Sequence, residues 1–231
     1  MSYQPFLDFM DDWYSHLPNV SLSSVLQDFP AEQTALLSVD VVNGFCKEGN
    51  LASPRVAKIV DPVVQLFQRA EQEGINHYVL LQDCHPERSK EFLIYPPHCM
   101  EHSEEAKAVK ELVDLPHAYK FKMLPKRTIA PGLEKSFQNW LTEHDSIKQF
   151  LVVGDCTDIC VYLLSIFLKT WYVQRDAVCQ VVVPANCVDT FDIPLEKEKR
   201  GSTLPHPGEL MHRVFLYHMQ MNGITVVRTI E

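Results

Sequence analysis

Three residues of types that make and break acyl bonds each follow an apolar run of strand length. Asp40 follows Ala35–Val39, Lys126 follows Tyr119–Leu124, and Cys160 follows Phe150–Val153 across the turn Gly-Asp-Cys-Thr-Asp-Ile. A carboxylate, a lysine and a cysteine brought to one place form a complete set for nucleophilic catalysis. The acid takes the thiol proton, the sulfur attacks, and the ammonium holds both charges in position. A cysteine that opens a helix gains further, because the helix dipole and free N–H groups favour its thiolate. Singly, each residue has an ordinary alternative: a turn aspartate, a core cysteine, a solvated lysine. The chemistry rests on their joint placement.

A second cluster lies in Asp83-Cys-His85-Pro-Glu-Arg-Ser-Lys-Glu91-Phe-Leu-Ile-Tyr95-Pro-Pro-His98. Two histidines with the acids Asp83 and Glu91 in a short loop suit zinc, iron or manganese better than calcium or magnesium. The two prolines stiffen the approach of His98. The plainer alternative is a polar loop with one capping aspartate.

These residues need a scaffold that gathers them. From residue 35 onward, strand-length apolar runs alternate with helical patterns. The expected strands are Ala35–Val39, Tyr78–Leu81, Tyr119–Leu124, Phe150–Val153, Cys179–Val183 and Ile224–Val227. Their near-continuous hydrophobicity suits a sheet covered on both faces. A helix is expected from Asp61 as N-cap and Pro62 as first helical residue, stopping at Gly74. Others are expected over about 131–143, 158–172 and 207–221. The alternation predicts a doubly wound, three-layer α/β/α fold with a mostly parallel six-stranded sheet. In such sheets ligands bind beyond the carboxyl ends of the strands, where all the residues above fall. Residues 1–33 read as an N-terminal helical extension, with Phe6, Phe9, Met10, Trp13 and Tyr14 on one face. Residues 34–231 read as the domain.

Composition narrows the function classes. The chain has 231 residues, 21 basic against 30 acidic, and a net charge of -9. That argues against general nucleic-acid binding, which needs a basic footprint. The longest uncharged apolar run, Ile159 to Leu168, falls short of the roughly 20 residues of a membrane span. The acidic N-terminus lacks the positive start of a secretory signal. Seven cysteines, an odd number without a Cys-x-x-Cys pair, read as reduced thiols in a cytoplasmic protein.

The motifs resemble those of the isochorismatase-like cysteine hydrolases, and among them the nicotinamidases, over roughly residues 34–230. Gly-Asp-Cys-Thr-Asp-Ile-Cys160-Val is similar to the family's nucleophile segment, and Val-Asp40-Val-Val-Asn-Gly-Phe45 to its catalytic aspartate and following aromatic. Asp83-x-His85 and Pro-Pro-His98 are similar to the metal loop of nicotinamidases. The segment 189–217, with Thr-Phe-Asp-Ile-Pro-Leu and His-Pro-Gly-Glu-Leu-Met-His, looks most like the plant-type branch.

The resemblance implies hydrolysis of nicotinamide to nicotinate and ammonia through a thioester on Cys160, with Asp40 as base. Lys126 is the third member, with Lys122 and Lys120 as alternatives. The resemblance also implies an oxyanion hole from the backbone of Cys156 and Cys160, and a ring site between Phe45 and Tyr95. It implies a divalent metal, zinc foremost, on Asp83, His85, Glu91 and His98. Ser89 stands where many nicotinamidases have a third histidine, so the role passes to Glu91. A cis peptide is implied at Asp155–Cys156, and a homo-oligomer is expected. The alternatives are a family hydrolase for a vinyl ether, another amide or a carbamoyl substrate, and a catalytically idle binding protein of this fold.

Overall fold

Two strands at the centre of the sheet show why the chain folds as it does. Thr34–Val39 and Gln149–Asp155 are buried along their whole lengths. Each must therefore be apolar on both faces. Alternate residues supply two separate cores: Ala35, Leu37 and Val39 join one, and Leu36 joins the other. This is the period-2 projection of a strand, used on both sides.

The structure is a computed structural model, and it describes residues 3–196, 198 and 204–231. In chain order the strands are β1 Asn19–Val20, β2 Thr34–Val39, β3 His77–Asp83, β4 Phe121–Lys126, β5 Gln149–Asp155, β6 Gln180–Pro184, β7 Val188–Asp189, β8 Thr225–Val227 and β9 Thr229–Ile230. The helices are α1 Gln4–Ser15, α2 Leu22–Val25, α3 Asn43–Cys46, α4 Pro54–Ala57, α5 Val60–Gln72, α6 Lys110–Val113, α7 Lys135–Glu143, α8 Cys160–Val173 and α9 Gly208–Met221.

The main sheet runs β4-β3-β2-β5-β6-β8, and β7 pairs with the end of β5. The pairings in this sheet are parallel. Helices α7, α8 and α9 cover one face, with Phe137, Leu164 and Leu216 among the buried contacts. Helix α5 covers the other through Val63, Leu66, Phe67 and Ala70. The three-layer α/β/α architecture is as the alternation predicted. Among the described residues the sheet has seven strands rather than six, because two-residue β7 is too short to leave a hydrophobic pattern.

Strand order reverses between β2 and β5: later strands add outward on both sides of this pair. The crevice of a doubly wound sheet opens at that point. Asp40 and the Asp155–Cys156 segment therefore flank it.

Three local expectations are corrected. Asp61 is not the N-cap of α5. Ile59 holds that place in an α-region conformation with no side-chain cap, and Asp61 lies in the first turn. The chain enters α5 almost directly from α4, so no extended cap residue is needed. Tyr119 lies in a 3-10 turn before β4, and the strand runs on to Lys126. Pro125 is tolerated there because β4 is an edge strand. Helix α8 opens at Cys160 rather than at residue 158.

The N-terminal segment packs on the body of the domain. Met10, Leu17 and Leu22 are buried. Phe6 and Phe9 stay about half exposed and meet Tyr217 of α9 edge-on. Strand β1 pairs in parallel with β9 at the far end of the sequence.

Candidate active site

The site is assembled from four strand ends. At the end of β2 the chain turns sharply: Asp40 has a positive φ of 56°. Its N–H donates to Leu81 O of β3, and its Oδ1 accepts from Asp83 N at 2.8 Å. Beside it, Gly154 holds φ at +116°, and a Cβ there would lie 1.9 Å from Val39 O. Only glycine lets β5 pass so close to β2 at the site's floor.

At the end of β4, Lys126 is fully buried and lies in register with Asp83. Its Nζ lies 2.8 Å from Asp40 Oδ2, donates to Asp83 Oδ1 at 2.5 Å, and reaches Cys160 Sγ at 3.6 Å. Strand alternation puts Lys122 on the same face, but four residues earlier it is exposed. Lys120 pairs with Glu71 and Asn76 instead. The structure thus brings Lys126 to Asp40 and Cys160, and leaves the other two lysines outside.

The end of β5 carries the cis peptide Asp155–Cys156. A turn follows, with Ile159 N and Val161 N donating to Cys156 O, and Cys160 is the first residue of α8.

Burial sets the protonation states. It raises Asp40, the Asp83 charge raises it further, and Lys126 only partly offsets both, leaving its pKa at about 7. Burial also opposes charge on Asp83, but Lys126 and the adjacent imidazoles of His85 and His98 outweigh it and keep this carboxylate ionised. Lys126 stays charged, since Asp40 and Asp83 overcome its own burial. The expectation of a favoured thiolate at Cys160 is corrected. Burial pushes its thiol well up, nearby carboxylates add to that, and Lys126 only softens it. The resting sulfur is a thiol, and its proton needs an acceptor at the moment of attack.

Asp83, His85 and His98, all buried, place their ligand atoms within 4.8 Å of one another. His98 Nδ1 pairs with Pro96 O at 2.8 Å, which fixes that nitrogen as the donor and turns the Nε2 lone pair toward Asp83. His85 Nε2 lies 3.3 Å from the Asp83 carboxylate, with no hydrogen bond of its own. Two imidazole nitrogens and a carboxylate converging with one nitrogen unsatisfied are a donor set that fits a divalent metal. Glu91 is not part of this group. Its segment forms a 3-10 turn, Lys90–Leu93, capped by Ser89, and it lies on the wall of the neighbouring pocket.

That pocket encloses about 790 Å³ and is lined by Asp40, Asp83, Cys156 and Cys160 at its base. Phe45 and Tyr95 both line it, their rings 5.7 and 6.2 Å from that of His98. Two features escaped the sequence reading. Asp155 is fully buried at the pocket, with Oδ1 unpartnered and its acidity suppressed by burial and by Asp40. Its signal was the first acid of Gly-Asp-Cys-Thr-Asp. Phe191, Ile193 and His206 form the outer wall. They lie in the 189–217 segment, whose resemblance was visible but whose place was not.

Fold and site together define a doubly wound α/β protein with a cysteine, a buried lysine and two carboxyls at its switch point. The chain belongs to the isochorismatase domain family, whose pattern matches residues 34–202, and it is an enzyme of that hydrolase family. It is 33% identical over 217 residues to nicotinamidase 1 of Arabidopsis thaliana, spanning 85% of this chain and 86% of that one. Two solved structures share the fold. One is a nicotinamidase from Bacillus subtilis, with a TM-score of 0.68, 23% identity and coverage of 84% of this chain and 99% of that one. The other is an N-carbamoylsarcosine amidase from Thermoplasma acidophilum, at 0.62 and 21%, covering 86% and 98%. Among the described residues no helix is long and apolar enough to cross a membrane.

Proposed function

We propose that this protein hydrolyses nicotinamide to nicotinate and ammonia through a thioester on Cys160. One observation carries the reading: a fully buried lysine held between Asp40 and Cys160. A buried cation there has a clear use where a thiol and a carboxyl exchange a proton.

Asp40 takes the thiol proton of Cys160 as the sulfur attacks the amide carbon. With its pKa near 7, Asp40 is basic enough to accept a proton and acidic enough to return it. The backbone N–H groups of Cys156 and Cys160 hold the oxyanion. Lys126 holds the carboxyl and the sulfur together. Asp40 then protonates the departing ammonia. Finally it takes a proton from the water that attacks the thioester and passes it to the Cys160 sulfur as the C–S bond breaks and nicotinate is freed. Phe45 and Tyr95 sandwich the pyridine ring. Asp83, His85 and His98 would hold a zinc, iron or manganese ion, with Glu91 as a further donor from the pocket wall. When bound, such an ion supplies a Lewis acid for the ring nitrogen. Residues 34–231 carry this machinery, and residues 1–33 are an extension packed upon it.

The test is ammonia and nicotinate release from nicotinamide by metal-supplemented protein. Wild type is expected to turn over, while Cys160→Ala, with unchanged circular dichroism and metal content, is expected to show none. Activity retained in Cys160→Ala would remove the thioester. No release by wild type, with release from a carbamoyl substrate, would move the reading to another amide of this family.

A further inference from the structure

The outer wall of the pocket is tied to the nucleophile turn through one histidine. His206 Nε2 lies 2.7 Å from Asp158 Oδ2, and its Nδ1 lies 2.9 Å from the backbone oxygen of Phe191. Both partners are acceptors only, so both ring nitrogens must carry hydrogen for both contacts to be hydrogen bonds. The ring also stacks on Phe191, with centroids 4.0 Å apart. Paired backbone hydrogen bonds join Ile193 and His206. Asp158 sits in the turn between Cys156 and Cys160 and is itself nearly buried.

We propose that His206, as an imidazolium, is a positioning residue. It clamps the wall of the pocket to Asp158 and thereby fixes the turn that presents Cys160 and the Cys156 N–H. This rests on the reading of Cys160 as nucleophile. His206 touches no reacting atom and acts through the turn. The charged groups acting on it are Asp158 from the turn and Asp192 from its own segment, while Tyr95 and Glu91 line the same pocket. Burial opposes its charge, but the Asp158 hydrogen bond outweighs burial and raises its pKa, and Asp158 is correspondingly lowered. The sign follows. The clamp is complete below the ordinary histidine range near 6.5. It is lost as pH rises through the raised value, when a neutral ring must give up one of its two bonds.

Two measurements on the full-length protein test this. In an NMR titration of histidine-labelled protein, His206 is expected to remain an imidazolium at pH 7 and to titrate above the ordinary range. Asp158→Asn is expected to lower its midpoint by at least about one pH unit. In the pH profile of nicotinamide hydrolysis, the alkaline fall in kcat is expected to follow that midpoint in both proteins. His206→Ala is expected to lower kcat at least about tenfold with a smaller change in KM, at a Tm that keeps it folded. A neutral His206 at pH 7 overturns the proposal, as does a kcat profile that ignores the midpoint in Asp158→Asn. If wild type releases no ammonia, the nicotinamide reading falls separately. The clamp is then judged by the alkylation rate of Cys160, read by peptide mass spectrometry. That rate is expected to change at least threefold in His206→Ala, and no change overturns the clamp.

Discussion

At the scale of single residues, the proposed mechanism divides the work of charge and proton between Lys126 and Asp40. Lys126 has no solvent to share its charge, so Asp40 and Asp83 balance it. Lys126→Ala is expected to lower kcat at least about a hundredfold, the scale of losing one preorganised charged donor. Lys122→Ala, at an exposed site on the same strand, is expected to change it only a few-fold. Steady-state kinetics on the two variants decides the assignment, and a reversed order would transfer the role. The pH dependence follows from Asp40, which accepts a proton only when ionised. Since burial holds its pKa at about 7, kcat/KM is expected to climb about tenfold per pH unit below 7 and to level above it until the alkaline fall tied to His206 begins. A flat profile from pH 5 to 8 would exclude Asp40 as the base.

At the scale of elements, the meeting of β2 and β5 decides the geometry. Gly154 lets the two strands touch where both leave the sheet, just before Asp155 and Cys156. A methyl group in Gly154→Ala would collide with the backbone of Val39, which cannot rotate away, at a φ that alanine resists. The variant is expected to lose at least about 2 kcal/mol of stability. That corresponds to a fall in Tm of at least about 4 °C for a domain of this size. Thermal unfolding beside wild type gives the number. An unchanged Tm would mean that the close approach is not needed.

At the scale of the whole molecule, residues 3–33 are bound into the domain by burial. Met10, Leu17 and Leu22 lie in its cores, β1 borrows β9 as its partner, and Tyr14 meets His212 of α9. Burying three such side chains contributes roughly 5 kcal/mol. Removing residues 1–33 is therefore expected to lower Tm by more than about 10 °C or to leave the protein insoluble. A truncated protein with wild-type Tm would show the extension to be a passive tether.

The sequence alone determined the layers and the ends. Uninterrupted apolar runs such as Phe150–Val153 can exist only in a strand covered on both faces, and alternation with amphipathic helices leaves little choice but a parallel sheet. Topology then places Asp40, Lys126 and Cys160 at carboxyl ends, so the proposed reacting set was legible before any coordinates. Local sequence could not decide what depends on distance in three dimensions. Which lysine is buried turned on where β4 ends, and a seventh strand of two residues carries no pattern. Glu91 lies near the histidines in sequence, but a turn capped by Ser89 sets it on the pocket wall. The thiol state of Cys160 was misjudged because a helix start is visible in sequence while burial among carboxyls is not. Asp155 and His206 belong to the site only because strands and loops far apart in the chain converge there. Charge states and cavities are sums over all neighbours in space, and those neighbours exist only once the chain has folded.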